Sequence, residues 1–185
     1  RWIDCQPDFE TAHFLNGFGH GDGKFHFAAD WAALGPDHAR LSCLPDHNAI
    51  TDESGDDHPF RLVTAPARNF LNSSFTEIET SRNREGRPTA KLHPGDCAML
   101  GVATGDRVRI GNRRGSLVVH VDVFDGLQRG VVVVEGIWPN HYFEEGVGIN
   151  LLTSAESPPP RGGAVFHDTA VWVISAARRE DAPEM

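Results

Sequence analysis

Cysteine is scarce in this chain. Its 185 residues include three, Cys5, Cys43 and Cys97. That is too few, at spacings too wide, for a disulfide scaffold, a zinc ribbon or a cysteine-held iron–sulfur cluster within these residues. Long apolar runs are missing too. Nothing approaches the roughly 20 residues a helix needs to cross a bilayer, so membrane insertion is not expected. There is no basic block: 17 Lys and Arg stand against 26 Asp and Glu, a net charge of −9. A chain with that balance is a poor candidate for general nucleic-acid binding. Internal repeats are absent, which removes solenoids and propellers. Position 1 is Arg1 and no basic-plus-apolar signal stretch follows it, so the chain is read as a piece of a longer polypeptide.

What the chain does have is enough apolar content, 39%, to build one domain around a core. The charge is unevenly placed. Residues 1–60 hold 11 acids and 3 bases, whereas residues 61–129 hold 11 bases and 7 acids. A local cationic region of this kind can serve a phosphate-bearing small ligand, or it can be a set of scattered, solvated arginines. The first 58 residues carry a glycine-rich loop, Gly17–Gly23, a short alternating stretch, Lys24–Phe27, that suggests a strand, and a proline- and acid-rich run from Gly35 to Pro59. This composition is too polar for a core of its own and reads as an irregular connector over 1–58. The glycine loop lacks the spacing of a phosphate-binding loop.

From residue 60 the pattern is that of a β domain. Strands are expected at Phe60–Ala65, Arg107–Ile110, Ser116–Phe124, Val131–Val134 and Ala170–Ile174. In the third of these, Val119, Val121 and Val123 alternate with His120 and Asp122, the period of a half-buried strand. The continuous Val131–Val134 run suggests burial on both faces. One short helix is expected at Pro94–Gly101, with proline at its start and glycine at its stop. About six short strands with one brief helix point to a closed or nearly closed barrel over residues 59–178, followed by a tail at 179–185.

No catalytic machinery stands out, and no catalytic or metal-ligating residue is assigned. The ten histidines form no metal motif, no nucleophile elbow surrounds Ser73 or Ser74, and Cys97 sits in an apolar helical turn where a thiol is inert. The adjacent Glu144 and Glu145 read as a solvated loop. Three polar clusters are more suggestive. Arg68, Asn72 and Ser73 follow the end of a strand, where binding groups are presented on a rigid support. Arg68 could grip an oxygen-rich group, while Asn72 and Ser73 could pair with a heterocyclic edge or simply cap their own turn. Asn150 lies in a glycine-flanked segment that lets a ligand approach the backbone. Asp168 could accept two N–H donors from an aminopyrimidinone ring.

In order along the chain, these segments read Arg68-x-x-x-Asn72-Ser73, then His93-Pro94-x-Asp96-x-Ala98-x-x-Leu100-Gly101-x-x-x-Gly105-Asp106-x-Val108. Asn112–Gly115, a valine-rich strand after Gly130, Trp138, Asn150-x-Leu152 and Phe166-x-Asp168 follow. Over about residues 60–175 this resembles the C-terminal dinucleotide-binding domain of the molybdopterin oxidoreductases, the group of dimethyl sulfoxide reductases, periplasmic nitrate reductases and formate dehydrogenases. Gly23–Phe27 resembles the stretch that precedes that domain. The resemblance implies a mainly β fold, a double-psi β-barrel of about six strands with short helices. It further implies that the barrel holds a molybdopterin guanine dinucleotide whose molybdenum or tungsten is bound through other domains. Arg68, Asn72, Ser73, Asn150, His167 and Asp168 are then the expected cofactor contacts. The expected partners are the remaining domains of the same polypeptide and electron-transfer subunits, and the chain by itself is expected to be inactive. The rival readings are a free-standing double-psi adaptor that docks protein partners and a small hydrolase using a histidine and a carboxylate.

Overall fold

The computed structural model describes residues 3–44, 46, 52–158, 163, 165–167 and 169–176. The chain divides into two compact units, 1–48 and 49–185. None of the described residues of the first unit is buried. It has one turn of helix, α1 (Phe9–Ala12), capped by the Asp8 carboxylate, which accepts from the Thr11 N–H. The glycine-rich loop closes on itself where Phe18 N–H donates to Gly23 O at 2.9 Å. The expected strand at Lys24–Phe27 does not form. Among the described residues of this unit no β-strand lies alongside to complete a ladder, and an unpaired strand leaves its backbone groups to water.

The second unit is a closed six-stranded barrel. Its strands are β1 (Phe60–Ala65), β2 (Thr89–Leu92), β3 (Arg107–Asn112), β4 (Gly115–Val123), β5 (Val131–Glu135) and β6 (Thr169–Ser175). The order around the barrel is β1-β5-β2-β4-β3-β6. Two neighbouring pairs are parallel, β1 with β5 and β2 with β4, and the other four are antiparallel. Advancing every strand by three turns this set of pairings into itself: β1·β5 becomes β4·β2, β1·β6 becomes β4·β3, and β2·β5 and β3·β6 map onto themselves. Two interlocked three-strand units of this kind make the double-psi β-barrel.

The barrel interior is filled by one inward row from each strand, including Leu62, Leu92, Val108, Ile110, Val119, Val121, Val132, Val134 and Val171. β4 alternates only in part: Val119 and Val121 are buried and His120 half-buried as expected, but Val118 is buried too and Val123 is only half-buried. β5 alternates, with Val132 and Val134 buried and Val131 and Val133 half-buried. The expectation of burial on both faces fails because a barrel has a single interior, and no layer covers the outside of β5. Two elements had no clear sequence signal: β2, whose Thr89-Ala90-Lys91-Leu92 is only four residues long, and the polar helix α2 (Glu79–Glu85). Helix α3 (Pro94–Leu100) starts at Pro94, with the His93 ring accepting from Gly95 N–H, and stops at Gly101 with φ 69°. Gly111 is required by close approach: a Cβ there would overlap the Trp172 indole on the neighbouring strand. No helix among the described residues is long and apolar enough to cross a membrane.

Candidate functional site

Because β1 and β5 run parallel, their carboxyl ends lie side by side, and Gly136 N–H donates to Ala65 O at 2.8 Å. The long connections that leave these two strands, residues 66–88 and 136–168, therefore start at the same end of the barrel. The first residues of β2 and β6 lie at that end too, since both are antiparallel to the parallel pair. Aromatic contacts tie the two connections together. Phe70 from the first meets Trp138 from the second edge to face at 4.8 Å, and Trp138 in turn meets Tyr142 at 5.4 Å. Glu85 accepts from both the backbone and side-chain N–H groups of Asn69, which anchors α2 to the first connection.

Between the connections lies a cavity of about 690 Å³, within the ~300–1,000 Å³ expected of small-molecule and cofactor sites. Its apolar wall is Ala65, Pro66, Ile137, Ile149 and Phe166, and its polar groups are Thr64, Asn72, Asn150, Thr153, Ser154 and His167. No lysine, arginine, aspartate or glutamate lines it among the described residues. The hydroxyls are partly used: Thr64 donates to Phe166 O at 3.4 Å, Thr153 donates to Asn150 O at 3.1 Å, and Ser154 accepts from Glu156 N–H at 3.0 Å. The Asn72 and Asn150 amides and the His167 ring take no hydrogen bond from the described protein. A neutral set of free amide donors and acceptors beside apolar walls suits the edge and faces of a planar heterocycle rather than a bare anion.

The Asn72 amide is presented by a tight turn. Leu71 and Ser74 exchange backbone hydrogen bonds at 3.1 and 2.8 Å, with Asn72 at φ 51°. Asparagine is among the few non-glycine residues that tolerate this region. Thr76 locks the turn from below, its buried hydroxyl donating to Ser73 O. The turn is therefore closed by backbone bonds and not by a side-chain cap from Asn72 or Ser73. The backbone caps itself, and the side chain of Asn72 is left over for a ligand.

Three of the expected contacts, Asn72, Asn150 and His167, meet in the cavity. Arg68 and Ser73 do not line it. They are exposed on the same connection, two residues after Pro66 and one after Asn72. The Arg68 guanidinium has no hydrogen-bond or ion-pair partner among the described residues. Asp168 lies outside the described residues. Sequence reasoning missed Thr64, Thr153, Ser154 and the apolar wall, because a threonine at a strand end or after a 3-10 turn carries no signal until the connections fold over it.

A second, smaller cavity, about 360 Å³, runs along the outer wall of β5, β2 and β4. Two of its charged groups pair with each other, Lys91 with Glu135 at 2.7 Å, and the His120 ring lies 3.5 Å from Glu144. Burial, with the Arg87 charge beside it, holds the His120 ring below the ordinary histidine value. Glu144 and Glu145 lie in an exposed turn, as expected, and pair there with Arg107 and Arg109 of β3. Cys97 is buried in α3, and that burial raises its thiol pKa, which keeps it protonated and inert.

The model of the molydopterin dinucleotide binding domain family matches residues 60–170, from the start of β1 through both connections around the cavity to the start of β6. A Bacillus subtilis protein named "Probable oxidoreductase YoaE" is 31% identical over 130 residues, covering 70% of this chain and 19% of that protein. The dimethyl sulfoxide/trimethylamine N-oxide reductase of Rhodobacter capsulatus is 32% identical over 113 residues, 56% of this chain and 14% of its own length. The chain thus spans a small part, 14–19%, of curated relatives such as these. Among solved structures, acetylene hydratase from Pelobacter acetylenicus superposes with a TM-score of 0.69 at 16% identity, over 86% of this chain and 24% of that one, a likeness of fold. With a double-psi barrel, a neutral cofactor-sized cavity at one end of it and a family match across both, this chain belongs to the molydopterin dinucleotide binding domain family.

Proposed function

We propose that this chain is the cofactor-holding domain of a larger molybdopterin-dependent oxidoreductase and that the cavity seats a heterocycle of the pterin guanine dinucleotide. One observation carries the reading: Asn72, Asn150 and His167, from three separate chain segments, bring unsatisfied polar groups to one apolar-walled cavity at the carboxyl ends of β1 and β5. The residues suit the group. A pterin or guanine edge presents N–H and C=O groups that amides pair with reciprocally, and Pro66, Ile137 and Phe166 offer surfaces for ring faces. Because no lysine or arginine lines the cavity among the described residues, the diphosphate in this reading lies outside it, within reach of the Arg68 guanidinium at the start of the same connection.

When bound, the group supplies two-electron redox chemistry at a molybdenum or tungsten atom held by other parts of the enzyme. The work of this chain is to bind and orient. The amides fix the ring in its plane, the apolar wall excludes water from one side, and the barrel gives both a rigid base. Further domains of the same polypeptide and electron-transfer subunits complete the enzyme in this reading. The test is direct: purify the full-length polypeptide, release its pterin by oxidation, and identify the nucleotide and the metal. Guanine nucleotide and molybdenum or tungsten in stoichiometric amount support the proposal. A full-length protein free of pterin overturns it.

A further inference from the structure

The wall of the cavity that carries Asn150 and Thr153 is a single 3-10 turn, Ile149–Leu152. Bonds at its two ends are Leu151 N–H to Gly148 O at 3.1 Å and Thr153 N–H to Asn150 O at 3.3 Å. So short an element does not hold its place unaided. Its last carbonyl, Leu152 O, accepts two bonds from the β3–β4 hairpin: Asn112 Nδ2 at 2.8 Å and Arg114 Nη1 at 3.1 Å. Arg114 is in turn gripped by Asp52, whose two carboxylate oxygens accept from Nη1 and Nη2 at 2.7 and 2.9 Å. Both side chains of this pair are well shielded, at 18% and 12% exposure, so the pair is screened far less than a surface bridge. Asp52 is itself fixed, its backbone carbonyl accepting from Arg61 of β1 at 3.0 Å. Arg113 adds a bond to Glu156 at 3.0 Å, just beyond the turn.

We infer that Arg114 and Asp52 form a latch that positions the Asn150–Thr153 wall of the cavity, making Arg114 a positioning residue for ligand binding although it does not line the site. The chain of contacts is continuous, from the Asp52 carboxylate to the Arg114 guanidinium, to Leu152 O, to the turn that bears Asn150. Geometry rather than charge is the requirement, because one planar fork must meet two carboxylate oxygens and a carbonyl together. Lysine, a point charge on a flexible stem, cannot do that.

This inference rests on the proposed reading of the cavity, and the experiment keeps the two separable. In the full-length protein, the variants are Arg114→Ala, Arg114→Lys and, as a control at the opposite end of the barrel, Arg129→Ala, which loses an ion pair to Asp96. Three quantities are read: thermal midpoint, pterin retained per protein, and hydrogen exchange of the 148–154 amides in protein stripped of cofactor. The expected result for Arg114→Ala is exchange at Leu151 and Thr153 faster by roughly tenfold and a several-fold loss of retained pterin. Arg114→Lys should fall between Ala and wild type. Arg129→Ala should lower the thermal midpoint while keeping its pterin. Unchanged 148–154 exchange in Arg114→Ala overturns the latch, and so does faster exchange with full pterin retention. If wild type itself carries no pterin, the functional proposal falls, while exchange in the stripped protein still decides whether Arg114 and Asp52 hold the turn.

Discussion

The two ends of the barrel begin from equivalent strand geometry and end up with opposite characters. Under the three-strand shift, the connection 66–88 corresponds to 124–130, and 136–168 corresponds to 93–106. At one end both connections are long, fold against each other through Phe70, Trp138 and Tyr142, and leave a cavity between them. At the other end they are short and tied shut. The buried Asp96 carboxylate of α3 accepts from Gly130 N–H at 2.7 Å and from Arg129 Nε at 3.2 Å. The polar groups differ in the same way. Those of Asp96 are consumed within the fold, while those of Asn72 and Asn150 are not. Symmetry of topology therefore offers two candidate sites, and the lengths of the connections choose one.

The comparison can be broken or sharpened at several points. The largest effect is expected from Val132→Asp, which places an unpaired charge in the interior shared by both ends at a cost of several kcal/mol. Circular dichroism and gel filtration should show an unfolded or insoluble chain, and a folded, soluble variant would mean that β5 is not central. Next is Asp96→Ala at the closed end. Losing two charge-assisted bonds and orphaning the Gly130 N–H should cost about 2–3 kcal/mol in denaturant titration, with cofactor content preserved in the protein that folds. A stability unchanged by that substitution would remove the claim that this end is held by hydrogen bonding.

At the open end the pattern should invert. Asn72→Gly keeps the left-handed turn at φ 51° and Asn150→Ala removes no bond made by a side chain. Each should leave the stability of the full-length protein within about 0.5 kcal/mol of wild type, with its thermal midpoint little changed, while lowering retained pterin several-fold. A falling midpoint with intact pterin would make these amides structural and return the open end to the character of the closed one. The smallest effect belongs to the outer wall. The His120 pKa is lowered in the fold by burial and by Arg87, so the unfolded chain binds that proton more readily than the native one. Its contribution is present above the ordinary value of 6.5 and is lost as pH falls toward the lower native value. His120→Gln should flatten that part of the stability–pH curve, read as the difference between the urea midpoints of the two proteins through the acid range. Identical slopes would dismiss the shift.

Much of the barrel was legible along the chain, because a half-buried strand writes its burial into every second residue. β1 and β4 were readable from their runs of phenylalanine, leucine and valine, and α3 from Pro94 and Gly101. β2 was not, since four residues give the alternation too little length and Lys91 sits at its centre on the outer face. The Lys24–Phe27 stretch shows the reverse failure: alternation without a partner strand makes no strand. At the site, Asn72, Asn150 and His167 were legible only through the order of motifs they belong to. No spacing rule brings residues 72, 150 and 167 together, because their meeting depends on how the β1 and β5 ladders register.

The amino-acid sequence by itself therefore determined the local choices: which runs become strands, where α3 begins and ends, that the described residues of the first unit bury nothing, and that no charge block or cysteine set dictates a ligand. Those depend on periodicity, capping and composition, which act over a few residues. Only the tertiary structure decided which end of the barrel is open, that no lysine, arginine, aspartate or glutamate lines the cavity among its described residues, and that Arg114 reaches Leu152 O while held by Asp52. Each of these is a relation between segments far apart in the chain, fixed by parallel pairing of β1 with β5 and by connections long enough to fold back over it.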